Sequence, residues 1–330
     1  MSDVARTAGV SLMTVSRVIN QKGDVNSETR KRILQIIKEL DYHPSAIARS
    51  LATKQTRTIG LVIPDVSNPF FADITRGIET LAYAQGYQVF LCNTGEDPVR
   101  ELAIIQSLEE KRVDGLILCS SRIDSPTLID LLSRLPAAVL INRRLNGKGG
   151  EDYQSVYLDD EISGEIATRH LIQSGHSKIG YLAGPASSFS GQGRKKGYQS
   201  TMKKAGLPLN PDWIFHCQPT VDGGHQGAIQ LLKRSNELTA VFCYNDLVAV
   251  GALQACTELD RGVPQDIAIV GHDDIPLAAL VSPALTTCRV SRHELGTRAV
   301  EALLERMKNC PVGCDPISLH PELIIRQSAP

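Results

Sequence analysis

Polar, charged and aromatic side chains gather at one kind of position in this sequence, directly after short apolar runs. Residues 59–63 lead into Asp65, Asn68, Phe70 and Phe71, and residues 89–92 into Asn93, Glu96 and Asp97. Residues 138–141 lead into Asn142, Arg143 and Arg144. Residues 240–243 are followed by Tyr244, Asn245 and Asp246, and residues 267–270 by Gly271, His272, Asp273 and Asp274. Amides and carboxylates offer donors and acceptors in pairs, and aromatic rings supply an apolar wall. This chemistry suits a polyhydroxylated ligand. A second set, Leu12, Met13, Thr14, Ser16 and Arg17, lies near the start of the chain. Arginine can fork to guanine O6 and N7, an apolar side chain can touch a thymine methyl, and short hydroxyls can hold phosphates.

The elements that position the first set follow from the pattern of the apolar runs. Runs at 59–63, 89–92, 115–119 and 138–141 alternate with helical stretches, among them those near 70–85 and 98–111. A second series at 179–182, 240–243 and 267–270 repeats the alternation. Continuous apolar strands alternating with helices predict parallel sheets covered on both faces. Some eight strands in two series predict an α/β core of two doubly wound subdomains. Ligands of such sheets bind beyond the C-terminal strand ends, in the crevice. Bland roles stand beside the binding ones: Asp273 can end a strand, Arg194 can be a surface cation, and Asn245 can cap the following helix. His272 reads as a packing residue more readily than a switch.

The second set sits in a different architecture. Asp3 to Ala8 reads as a short helix, Gly9 as a turn, and Ser11 as the N-cap of a helix from Leu12 to Asn20. A third helix runs from an N-cap at Ser27 to Leu40. Two helices joined by a tight glycine turn form a DNA-reading helix-turn-helix. At about 100° per residue, Val15, Val18 and Ile19 share the core face while Met13 and Arg17 point away. Thr14 and Ser16 flank them, and Leu12 falls at the edge of the apolar face, open to a partly buried role. Pro44 and Ser45 start another short helix over 45–52, and residues 53–58 read as a polar, basic linker. A helix of about two turns is unstable alone and needs a partner chain or DNA.

Length and charge agree with this division. The chain has 330 residues, enough for about two domains at ~150 residues each. Its net charge of −1 argues against nucleic acid until the chain is segmented. Residues 1–58 carry ten cations and five anions, +5, which leaves 25 cations and 31 anions, −6, for the rest. Such asymmetry points to nucleic-acid contact by the basic segment. No apolar run approaches the ~18 residues of a membrane span, and the start lacks a signal peptide, so a cytoplasmic location is expected. The eight cysteines form no C-x-x-C and read as reduced, buried apolar residues. Cys310, Cys314 and His320 fit no standard zinc spacing, so no metal or cofactor is expected. The sequence has no G-x-G-x-x-G after a strand, no phosphate-loop motif, no G-x-S-x-G and no H-E-x-x-H. An enzyme is therefore not expected. The alternative function is a sugar-binding protein with no DNA role.

Three segments, Val4 through Ser11, Thr14 through Asn20 and Pro44 through Leu51, resemble the lactose/galactose-repressor (LacI/GalR) family of bacterial transcription regulators. The resemblance runs in order along nearly the whole chain. It implies a helix-turn-helix domain at 1–43, a hinge helix and linker at 44–58, and a periplasmic-binding-protein-like core at 59–330. It divides the core into an N-subdomain of about 59–157 and 288–317 and a C-subdomain of about 158–287 and 318–330. By the same resemblance Leu12, Met13 and Arg17 read bases, and Ser11, Thr14, Ser16 and Asn20 hold backbone or base edges. Leu51 wedges into the minor groove, Ala48 permits close approach, and Lys54 adds a cation in the linker. Phe70, Phe71, Asn142, Ser190, Arg194, Asn245 and Asp273 line the effector cleft. The implied function is a homodimeric regulator, a repressor, on a palindromic operator of double-stranded DNA. Its switch is a small effector, a sugar or sugar derivative first, a purine or nucleoside second. The chain departs from the family in four ways, one of them Asn142 where many members, though not the galactose branch, have Asp. Its first helix begins almost at residue 1, so either the start lies upstream or some backbone contacts are lost. His272 stands where Tyr or Phe is usual, and Pro219 where some members stack an aromatic ring.

Overall fold

The computed structural model describes residues 1–19, 23–42, 50, 53, 55–145, 153–308 and 316–330. The chain divides into two units, Met1–Thr56 and Arg57–Pro330. The first unit contains helices Ser2–Ala8, Leu12–Ile19 and Ser27–Glu39. Gly9 ends the first helix at φ 62, a left-handed conformation that costs glycine little. Ser11 Oγ accepts from the Thr14 amide at 3.1 Å and so caps the second helix. The third helix is capped one residue earlier than the sequence suggested: Asn26, not Ser27, accepts from the Glu28 amide at 2.9 Å. Asn and Ser are equally good caps, so composition did not separate them. Val4, Ala8, Val15, Val18, Ile33 and Ile36 close a small core.

The second unit holds two six-stranded sheets. The first comprises β1 (Thr58–Ile63), β2 (Gln88–Asn93), β3 (Gly115–Cys119), β4 (Ala138–Ile141), β5 (Gln154–Leu158) and β11 (Ile317–Leu319). Its order is β11-β5-β4-β3-β1-β2, parallel throughout. The second comprises β6 (Ile179–Ala183), β7 (Ile214–His216), β8 (Ala240–Cys243), β9 (Ala268–Asp273), β10 (Thr286–Arg289) and β12 (Glu322–Ile324). Its order is β12-β10-β9-β8-β6-β7, with only the edge strand β12 antiparallel. Both sheets share one winding, which reverses between their first and third strands. That reversal opens a crevice at the C-terminal edge of each sheet. In β1, Ile59, Leu61 and Ile63 face one core and Val62 the other, as burial on both faces requires.

The chain crosses between subdomains after β5, after β10 and after β11. β10 lies whole in the second sheet and β11 whole in the first, so divisions at 287/288 and 317/318 would cut both strands. The crossings fall a residue or two later than the sequence placed them, because three- and four-residue strands carry little apolar signal. Two helices that flank the cleft, Asp160–Gln173 and Phe189–Lys204, cross unusually closely. A Cβ on Gly164 would lie 2.2 Å from the Arg194 carbonyl oxygen, and one on Gly197 2.1 Å from that of Glu161. Glycine at both positions is what lets the backbones touch.

Candidate effector cleft and DNA-reading helix

The helix Leu12–Ile19 turns Val15 and Val18 inward and leaves Arg17 exposed. Leu12 is 52% exposed and Met13 66%, which removes the partly buried role left open for Leu12. Ser11 Oγ and Thr14 Oγ1 lie 2.9 Å apart at the start of the helix. Exposed apolar side chains beside an arginine on a short helix form a surface that gains by partnering. Asn20, Ala48, Leu51 and Lys54 lie outside the described residues, as do Cys310, Cys314 and every residue of the hinge helix expected over 45–52 except Ser50, which is helical.

In the core, the structure gathers all seven residues of the sequence-based cleft around one cavity. Phe70, Phe71 and Asn142 come from the first subdomain; Ser190, Arg194, Asn245 and Asp273 come from the second. The cavity volume is only about 20 Å³, room for about one water, so the two subdomains stand closed on each other. Phe70 and Phe71 meet edge to face at 5.1 Å. Asn68 begins their helix and accepts from the Phe70 amide at 2.9 Å.

Arg194 is no surface cation. It is 3% exposed, its Nε donates to Asp160 Oδ1 at 2.8 Å, and its Nη1 donates to the Tyr244 carbonyl at 2.6 Å. Burial alone would lower its pKa, but Asp160 and Asp273 hold it firmly charged. Asn245 takes both roles open to it: its Oδ1 accepts from the Val248 amide at 2.9 Å, and the residue lines the cavity. Asn142 Oδ1 accepts from the Leu158 amide at 3.2 Å, tying the end of β4 to that of β5.

Asp273 Oδ1 lies 2.8 Å from His272 Nδ1. Burial, and next the charge of Arg194, lower the His272 pKa, so this contact is a hydrogen bond from a neutral imidazole. Behind it Asp246 is wholly buried, accepting from Thr287 Oγ1 at 2.6 Å and from the Ile275 amide at 2.9 Å. Burial and then Asp273 push its carboxyl well above the ordinary range. Asp246 thus braces the turn that presents Asp273.

Of the nine non-glycine residues with positive φ among the described residues, Glu96, Ser120, Asn142 and Asp273 line this cavity. Strain of this kind collects where a fold holds side chains for a purpose. Sequence reasoning had Asn68, Glu96 and Tyr244 in the strand-end set but not among the seven cleft residues, and it missed Ser120 in the cavity and Asp160 as the partner of Arg194. Ser120 follows β3 directly, so the strand-end rule would have found it. Asp160 follows β5, a strand the sequence reading did not recognise. Pro219, the expected departure, does line the cavity.

Among the described residues no group of three or more His, Cys, Asp or Glu side chains is placed to hold a metal, and no helix is long and apolar enough to cross a membrane. A helix-turn-helix unit joined to a two-lobed, ligand-binding α/β core defines a ligand-responsive DNA-binding regulator. Residues 1–45 match the model for bacterial regulatory proteins of the lacI family. Residues 56–314 match the model for periplasmic binding proteins and the sugar-binding domain of the LacI family. The HTH-type transcriptional repressor PurR of Haemophilus influenzae (strain PittEE) is 38% identical over 335 residues, covering 99% of this chain and 98% of that protein. The lac repressor dimer bound to operator and the anti-inducer ONPF has a TM-score of 0.87 at 28% identity, covering 99% and 98% of the two chains. The transcriptional regulator CelR–cellobiose complex has a TM-score of 0.77 at 30% identity, with 98% of each chain covered. The chain belongs to the LacI family of bacterial regulatory proteins: it is a DNA-binding transcriptional repressor with a small-molecule effector.

Proposed function

We propose that this protein represses transcription as a cytoplasmic homodimer on a palindromic operator and is switched by a sugar or sugar derivative bound in the cleft. One observation carries the effector half of this reading: seven residues from two subdomains, chosen from sequence, converge on one strained, aromatic-walled cavity. Phe70, Phe71, Asn142, Ser190, Arg194, Asn245 and Asp273 hold the ligand. The bound cellobiose of the CelR structure supports the sugar reading, with a purine or nucleoside as the alternative. Leu12, Met13 and Arg17 read bases; Ser11, Thr14, Ser16 and Asn20 contact the backbone or base edges; Ala48, Leu51 and Lys54 act at the hinge. Two chains related by a dyad place two reader helices on two half-sites. The ligand changes how far the subdomains close, and with that the DNA affinity of the dimer.

A mobility-shift assay with upstream fragments of the gene tests the DNA half, with a thermal-shift screen of monosaccharides, phosphosugars and purines for the effector. A palindromic fragment is expected to shift, and a stabilising compound to change that shift. If no upstream fragment shifted with or without ligand, the regulator reading would fail. If operator left the effector affinity unchanged, the coupling would fail, since linkage is reciprocal.

A further inference from the structure

Beside the effector cavity lies a second pocket, of about 200 Å³, which shares Asn142 and Ser190 with it. It sits between the subdomains. Arg143 and Arg144 follow β4, Tyr157 lies in β5, and Phe189 opens the helix Phe189–Lys204. Arg143 is 1% exposed. Its Nη2 donates to the Ile123 carbonyl at 3.2 Å and to Ser125 Oγ at 3.0 Å, and the Phe189 ring covers its face. Yet Nε has no hydrogen-bond partner, and no carboxylate among the described residues forms an ion pair with this guanidinium. Burial pulls its pKa down to about 10, and Glu101 and Asp124 act on it only from a distance.

A charge removed from water without a counter-ion is costly, and buried charges in folded proteins are paired. The pocket holds a second unused donor: Ser190 Oγ is buried and also lacks a partner. The carboxylate in the lining, Asp160, is taken up by Arg194. Arg144 stands exposed nearby, its guanidinium 4.9 Å from the Tyr157 ring centroid. The first turn of a sixteen-residue helix adds favourable potential for an anion.

We propose that this pocket is an anion subsite of the effector cleft, and that the effector is a phosphorylated sugar whose phosphomonoester meets Arg143, Ser190 and Arg144. The proposal rests on the effector-cleft reading above. A phosphomonoester offers three acceptor oxygens to three donors, and guanidinium is the side chain best matched to it.

The test compares matched pairs by titration calorimetry on the full chain: ribose with ribose 5-phosphate, glucose with glucose 6-phosphate, fructose with fructose 1-phosphate, and inorganic phosphate alone. One phosphorylated member is expected to bind at least about tenfold more tightly than its neutral partner, with inorganic phosphate far weaker. Arg143→Gln is expected to remove that preference, and Ser190→Ala to reduce it should the first variant not fold. Neutral and phosphorylated members binding alike would overturn the subsite and leave the cleft reading standing. Inorganic phosphate binding as tightly as the sugar phosphates would overturn it too. A preference that survived both variants would show that the anion sits elsewhere. A panel in which nothing bound would count against the cleft reading as well.

Discussion

Gly164→Ala tests whether close helix contact is what builds the effector site. An added Cβ would sit 2.2 Å from the Arg194 carbonyl oxygen, whereas ordinary contact begins at 3.4 Å. The obstacle is backbone, so the helices Asp160–Gln173 and Phe189–Lys204 must part by about the difference, ~1.2 Å. The Asp160–Arg194 ion pair spans the same two helices at 2.8 Å. The same displacement takes it to about 4 Å, beyond hydrogen-bonding range. Overpacking of this kind costs ~1–3 kcal/mol, which in a domain of this size lowers Tm by roughly 2–12 °C. Losing a hydrogen bond between charged groups is worth ~1.5–3 kcal/mol, so effector affinity falls by about tenfold or more. Differential scanning fluorimetry of the variant, with the exposed Lys203→Ala as control, reads the first effect, and effector titration the second. A Gly164→Ala protein melting within about 1 °C of wild type would refute the reasoning, because the helices would then part at no cost.

Arg17→Ala should weaken operator binding by ~1–3 kcal/mol and leave random duplex little changed, as read by fluorescence anisotropy; equal loss on both would make Arg17 a phosphate contact. Arg194→Lys keeps the charge but cannot reach Asp160 and the Tyr244 carbonyl together, so effector affinity should fall at least about tenfold; near-wild-type affinity would show that only charge matters there. His272 is held neutral in the fold, its pKa lowered by burial and by Arg194, so its contribution is present above ~6.5 and lost as pH falls below that. Urea denaturation at pH 7.5 and 5.5 should therefore show an acid loss that shrinks in His272→Gln, and an undiminished loss would place it on other groups.

How much was legible in the sequence depended on how much apolar signal each element carries. Runs such as 59–63 and 115–119 are buried on both faces, and their continuous hydrophobicity announces a parallel strand. β7, β11 and β12 are three residues each, at or next to sheet edges and only half-buried, so they leave almost no pattern. The cleft residues were legible because a doubly wound sheet sends its ligand to the strand ends, and strand ends can be read. Asp160 was not, since what marks it is a partner 34 residues away, across a helix contact that only two glycines permit. The orphaned Arg143 Nε was out of reach for the same reason. A sequence shows that an arginine is present; whether it has a counter-ion is a property of the packing.

The closed cleft constrains how the switch can work. Several contacts cross between the subdomains. Arg292, at the second crossing, donates to Asp73 Oδ2 at 3.2 Å in the first subdomain and to the Asp274 carbonyl at 2.8 Å in the second. Arg143 of the first subdomain stacks on Phe189 of the second. Closure is therefore supported by the protein itself, and the cavity within is far smaller than a sugar. A ligand must first find the subdomains apart, and it can shift their balance only through contacts that differ between open and closed forms. Asn245 and Asp273 lie on one side of the cleft, Phe71 and Asn142 on the other. A ligand touching both sides makes its full set of contacts only when they approach, so it favours closure around itself. One that touches a single side binds open and closed forms alike and switches nothing, however tightly it binds.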